Sequence, residues 1–206
     1  MKFDEEFWNQ VNKIVQRETT QYPERLAKLL KQIKDYTDKR VDKYTNGLSR
    51  PLIIAIDGRA ASGKSTLAEQ LSELLGADVI RMDDFFLPSV LRSEERLTEP
   101  GGNVHYERFC EEVLPYLNSP EVFSYRIFDC SRMDYNGERE IGNAQIRIVE
   151  GSYSHHPKFE KYADLFVFSD VDEVEQMRRI RLSNGEEKEQ MFAKKWIPME
   201  EQYFAA

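Results

Sequence analysis

The eight residues Gly58-Arg59-Ala60-Ala61-Ser62-Gly63-Lys64-Ser65 constrain the fold of this chain more than any other stretch. Glycines at both ends of the loop, then lysine and serine, leave backbone amides bare for a close-lying anion. The run before it, Leu52-Ile53-Ile54-Ala55-Ile56, is apolar throughout and β-branched, the pattern of a strand buried on both faces of a parallel sheet. The run after it, 65–75, reads as an amphipathic helix stopped by Gly76. In that order the helix aims its positive end at the loop. The anion that suits this spacing is a phosphate chain. It would lie on Gly58, Ala60, Ala61, Ser62, Gly63, Lys64, Ser65 and Thr66, with Lys64 on the outer phosphates and the Ser65 hydroxyl on Mg²⁺. The motif predicts a site for a nucleoside triphosphate, ATP with Mg²⁺.

Further strands are expected at 78–82, 122–128, 146–149 and 165–168, and helices at 106–117 and 172–181. Residues 88–104 read as loop, and Asn136-Gly137 as a turn within a small hairpin. Strands alternating with helices predict an α/β protein, a three-layer sandwich around a parallel five-stranded sheet. Residues 1–49 carry apolar positions at helical spacing, Phe3, Phe7, Val11 and Ile14, then Leu26, Leu29, Leu30 and Ile33. They predict a helical N-terminal extension, broken over 19–23 and stopped at Asn46-Gly47. It would pack on the main domain (50–206) or serve as a dimerisation or partner surface. A lid helix is expected near 172–195.

Composition narrows the class. At 206 residues and 40% hydrophobic content the chain can bury a core. A net charge of −8 disfavours a sequence-blind nucleic-acid partner, which needs a basic face. No apolar run approaches the ~20 residues of a membrane span. The opening Met1-Lys2-Phe3-Asp4-Glu5-Glu6 has no secretory character. Two cysteines, Cys110 and Cys130, are too few for a disulfide scaffold and lack metal-type spacing. The expectation is a cytoplasmic protein with a small-molecule partner, no nucleic acid and no membrane, with a homodimer left open.

The segments that follow the loop carry a resemblance. Arg81-Met82-Asp83-Asp84-Phe85-Phe86-Leu87-Pro88 resembles the Asp-x-Phe segment of uridine kinases, phosphoribulokinases and bacterial pantothenate kinases. Tyr125 to Arg132 looks like the uridine kinase Tyr-Asp-Phe-x-x-His-x-Arg, with Arg126 and Cys130 at the aspartate and histidine positions. Ile148-Val149-Glu150-Gly151, the strand at 164–168 with Arg178-Arg179-Ile180-Arg181, and the tail from Trp196 to Phe204 match in order. The resemblance spans roughly 52–204. The guanine-reading Asn-Lys-x-Asp of GTPases and the Leu-Ser-Gly-Gly-Gln of transporters are both absent.

The resemblance implies ATP- and Mg²⁺-dependent phosphoryl transfer to a hydroxyl of a small metabolite, through an acceptor pocket unlike that for uridine. It makes Asp83 the general base, with Asp84 as the alternative or a plain turn residue. Ser65, Glu150 and Asp83 would surround the metal. Lys64, Arg178 and Arg181 would stabilise the transferred group, although the arginines also read as solvated helix charge. Asp84, Phe86, His105, Tyr106, Tyr125 and Arg132 would face the acceptor. His105, His155 and His156 suit packing or hydration better than a metal. Two rival readings stand beside this one, a cytidylate-type monophosphate kinase and a non-catalytic ATP-dependent regulatory module.

Overall fold

The computed structural model describes residues 3–17, 23–40 and 48–206. Its centre is a parallel sheet of four strands in the order β2-β5-β1-β6, formed by β1 (Leu52–Gly58), β2 (Asp78–Arg81), β5 (Ile146–Glu150) and β6 (Leu165–Ser169). β1 lies between β5 and β6, and all seven of its residues are buried. Side chains alternate across a strand. Accordingly Ile53 and Ala55 enter one core, while Leu52, Ile54 and Ile56 enter the other. A continuous apolar run is what such two-sided burial requires.

One face carries α3 (Lys64–Leu75) together with α1 (Glu5–Arg17) and α2 (Pro23–Asp38). Phe3, Trp8 and Val11, and then Leu26, Leu29, Leu30 and Ile33, share a buried cluster with Leu71, Leu75, Ile146 and Ile148. The N-terminal helices therefore pack on the sheet. Asp164, at the foot of β6, ties α2 down: its carboxylate accepts from Tyr36, from Arg50 (2.6 and 2.9 Å) and from the Ile53 amide (3.0 Å). Of the break expected over 19–23, residues 19–22 lie outside the described residues, as does the stop at 46–47, and Pro23 opens α2.

The opposite face holds α4 (Glu94–Thr98), α5 (Tyr106–Glu112) and a hairpin of β3 (Phe123–Asp129) and β4 (Asp134–Ile141). The chain closes with α6 (Glu173–Asn184), α7 (Glu186–Met191) and α8 (Ile197–Phe204). Two expectations are corrected here. Among the described residues the parallel sheet has four strands, not five, because β3 pairs antiparallel with β4 in a separate two-stranded sheet. Its burial alternates, with Phe123, Tyr125 and Phe128 inside and Ser124 and Arg126 outside, a half-buried strand rather than a sheet interior. Asn136-Gly137 is not the turn. Arg126 pairs with Glu138 and Phe128 with Tyr135, so these two residues oppose Ile127 alone in a β-bulge that Gly137 accommodates at φ 88°. The chain reverses instead at 130–133.

The helix expected over 106–117 ends at Glu112. Pro115 lacks an amide donor, and the carbonyls beyond it turn toward Arg147 on β5. This fully buried guanidinium donates to the carbonyls of Tyr116 (2.7 Å), Leu117 (3.0 Å), Ser119 (2.7 Å), Glu121 (2.9 Å) and Gly142 (2.8 Å). Arg147→Met orphans these acceptors, and each buried unsatisfied group costs roughly 1–3 kcal/mol where water cannot reach it. The expected loss of stability is about 3 kcal/mol or more, read as a fall in Tm of roughly 10 °C. A Tm within about 2 °C of the parent would show the turn to be self-supporting.

Candidate active site

The loop joins β1 to α3 at the carboxyl end of the sheet. Gly58 has φ 137°, and a Cβ there would fall on the Ser169 carbonyl oxygen of β6. Glycine is therefore demanded by the close approach of a neighbouring strand. Gly63 (φ 92°) is the N-cap of α3 and offers no side-chain cap. The first helical bond is Leu67 N–H to the Gly63 carbonyl (3.0 Å). The amides of Lys64, Ser65 and Thr66 thus have no intrahelical acceptor and sit at the positive end of the helix dipole. Beside them opens a cleft of about 580 Å³, walled by Gly63 to Thr66 on one side and by Arg178, Arg179 and Leu182 of α6 on the other. These donors fit a phosphate chain. A smaller hollow of about 300 Å³, at Tyr36, Arg40 and Arg50, lies at the opposite end of β1 and has no comparable set of amides.

The Lys64 ammonium is buried and donates to the carbonyls of Gly58 (2.8 Å) and Arg59 (2.7 Å). Burial lowers its pKa, while the carboxylates of Glu200, Asp57, Asp83 and Glu150 pull it back up. Ser65 Oγ donates to Glu150 Oε2 (3.0 Å), joining the helix start to the end of β5. Burial raises the Glu150 pKa, and Asp83 adds to this; the Ser65 bond opposes it. Asp83 lies on the 3₁₀ turn Met82–Phe85 after β2. It is exposed to solvent, yet the surrounding protein raises its pKa, with Lys64 working against that rise. Ser65, Glu150 and Asp83 are hard oxygen donors. Phosphate oxygens and water would complete the shell for a cation such as Mg²⁺.

Asp84 faces the other way. Its buried carboxylate accepts from Tyr125 Oη (3.0 Å) and Arg139 Nε (2.9 Å), and its carbonyl accepts from the buried Arg108. Tyr125 is equally buried, so it supports Asp84 from below and presents no face to an acceptor. Phe86 packs edge-on against Phe128, with ring centroids 6.2 Å apart. His105 shares a 2.6 Å hydrogen bond with Tyr135. Tyr106 is turned to Arg96, whose Nη1 donates to its hydroxyl (2.6 Å), and to His156, 4.9 Å between rings. Arg132 is exposed on the β3–β4 turn.

The arginines of α6 divide differently from the sequence expectation. Arg178 lines the cleft and pairs with Glu175 (2.6 Å). Arg181 is not among the lining residues; it pairs with Glu186 and, at 3.5 Å, with Glu189 of α7. Arg179 takes its place, with Nη1 donating to the Ala61 carbonyl of the loop (3.2 Å). Helical spacing groups Arg178 with Arg181, whereas Glu175 draws in the neighbours Arg178 and Arg179 at i+3 and i+4.

Two carboxylates were not singled out by the sequence. Asp57, fully buried, accepts from the amides of Gly58 (2.6 Å), Tyr153 (3.0 Å) and His155 (2.9 Å) and from Tyr203 Oη (2.7 Å). Glu200 of α8 accepts from the Ala60 amide (3.0 Å) and the Ser152 hydroxyl (2.9 Å). Adjacency to Gly58 was the only signal for Asp57. The tail around Trp196 to Phe204 was visible for Glu200, but its contact with the loop was not.

No family model matches the chain. It is similar to the pantothenate kinase of Klebsiella pneumoniae subsp. pneumoniae, 30% identical over a 149-position alignment covering 61% of this chain and 46% of the relative. It is also similar to the pantothenate kinase of Cutibacterium acnes, 32% identical over 123 positions covering 52% and 36%. The chain thus spans less than half the length of these relatives. Among solved structures, a candidate fructose transport system kinase from Silicibacter sp. TM1040 superimposes with a TM-score of 0.68 at 22% identity. That match covers 88% of this chain and 94% of the other. A possible uridine kinase from Bacillus stearothermophilus follows with a TM-score of 0.52 at 20% identity, covering 82% and 94%. The fold is shared with these kinases, and over the aligned part the sequence is similar to pantothenate kinases.

Proposed function

We propose that this chain is a small-molecule kinase, moving the terminal phosphoryl group of ATP onto a hydroxyl of a small metabolite. The observation that carries the reading is the meeting of the unclaimed amides behind Gly63, the Lys64 ammonium and the Ser65 hydroxyl at one cleft, with Glu150 bonded to Ser65 and the Asp83 carboxylate acting electrostatically on both Lys64 and Glu150. Phosphoryl transfer depends on positioning and charge stabilisation more than on covalent chemistry with the protein. In this reading the amides and Lys64 hold the phosphates. Arg178 and Arg179 reach the same cleft from α6 and stabilise charge on the group in transit. A Mg²⁺ ion held by Ser65 and Glu150 would neutralise phosphate oxygens. Asp83 accepts the proton of the acceptor hydroxyl as its oxygen bonds to phosphorus and the bond to the leaving phosphate breaks.

The acceptor lies beyond Asp83 in this reading, toward Phe86 and the turn that carries Cys130 and Arg132. The electrostatic influence of Asp83 on Cys130 supports that direction. The test is ADP release from ATP and Mg²⁺ over a panel of pantothenate, uridine, fructose, D-glycerate and nucleoside monophosphates. Acceptor-dependent ADP, with the phosphorylated acceptor identified by mass, is the expected result. ADP formed equally without any acceptor would make the chain an ATPase. Tight ATP binding with no ADP from any acceptor would favour a non-catalytic module.

A further inference from the structure

The loop is gripped from outside by the end of β6 and by helices, all more than a hundred residues further along the chain. Gln176 Nε2 donates to the Ala60 carbonyl (3.2 Å), and Ser169 Oγ donates to that of Ser62 (3.1 Å). Arg59 points away from the cleft and pairs with Asp170 (2.9 Å) and with Glu201 of α8. The amide of Ala60 has a charged acceptor, Glu200, and this carboxylate is itself buried. Its second oxygen holds Ser152, two residues after Glu150, whose carboxylate holds Ser65. Glu200 therefore bridges the middle of the loop and the strand end that carries the metal-facing carboxylate, while Asp57 links Gly58 to Tyr153 and Ser65 bonds Glu150 directly.

We infer that Glu200 is a positioning residue of the phosphate cradle. Its hydrogen bond to the Ala60 amide sets the peptide planes that lead into Ala61 to Ser65, and its bond to Ser152 keeps them in register with Glu150. The inference rests on the nucleotide-binding reading above. Carboxylate bonds to backbone amides are among the stronger hydrogen bonds, and a buried amide left without an acceptor is costly. A loop freed at Ala60 therefore samples geometries in which the following amides no longer converge.

The test is binding, measured by titration calorimetry on the full chain with two probes, Mg-ATP and inorganic tripolyphosphate. Glu200→Ala should weaken both probes about tenfold, the effect of losing one charge-assisted hydrogen bond. Glu200→Gln keeps an oxygen for the Ala60 amide and should stay within about threefold of the parent. Tyr203→Phe removes another anchor of the same helix, the bond to Asp57, and should leave affinity unchanged. Melting temperatures confirm that each variant is folded. Equal affinity of Glu200→Ala and the parent would overturn the inference. So would a Glu200→Gln variant as weak as alanine, a Tyr203→Phe loss matching it, or a loss confined to ATP. A parent chain that binds neither probe would instead remove the nucleotide reading, and the inference with it.

Discussion

Lys64→Ala should lower kcat/KM by at least about a thousandfold while the protein stays folded, with ATP affinity down tenfold or more. The ammonium is the buried cation in a ring of carboxylates: Glu200, Asp57, Asp83 and Glu150 all act on it. Without it an incoming polyphosphate meets the net negative charge of carboxylates of which Glu200, Asp57 and Glu150 are buried, and repulsion from buried charge is poorly screened. The two loop carbonyls that Lys64 now satisfies, on Gly58 and Arg59, also lose their donor. Lys64→Arg should recover little. A planar guanidinium presents its donors in a fixed fork and does not fit a pocket shaped around a compact point charge. Single-turnover assays with the acceptor found by the panel measure the chemical step directly. Turnover within tenfold of the parent would remove Lys64 from the reaction and with it the central claim about the loop.

How far the site could be read in advance depended on how local its causes are. The loop was fully legible because its strand, its glycines and its helix are contiguous, and each position answers to backbone sterics or to the helix end. The apolar run of β1 was legible for the same reason, since burial on both faces removes alternation from the sequence. Asn136-Gly137 was ambiguous in principle: both a hairpin turn and a bulge ask for positive φ, and only the pairing of β4 with β3 distinguishes them. Arg179 was missed because helical spacing favours Arg178 with Arg181, while the actual partner, the Ala61 carbonyl, lies 118 residues away. The Glu200 bond spans 140 residues, and nothing local marks that glutamate apart from Glu201 beside it. Tyr125 illustrates the converse. A motif placed it near the acceptor, but the alternation of β3 turns its ring inward under Asp84.

The adjacent aspartates offer the sharpest separation of chemistry from architecture. Asp83→Asn should reduce kcat by about a hundred- to ten-thousandfold, the range for removing a general base, with little change in ATP affinity or Tm. Its residue is exposed, so an amide of the same shape replaces it without disturbing the core. Asp84→Asn should do the reverse. Tyr125 Oη and Arg139 Nε both donate to the same buried oxygen, Oδ2, so an amide oxygen in that place keeps the two bonds but removes the charge that pairs with the Arg139 guanidinium. A loss of roughly 1–3 kcal/mol in stability is expected, with kcat reduced only as far as the 3₁₀ turn shifts. The two variants are compared by thermal melts and by saturation kinetics with the same acceptor. If Asp84→Asn stops turnover in a protein that melts normally, and Asp83→Asn does not, the base is Asp84 and the cleft opens on the hairpin side of the turn.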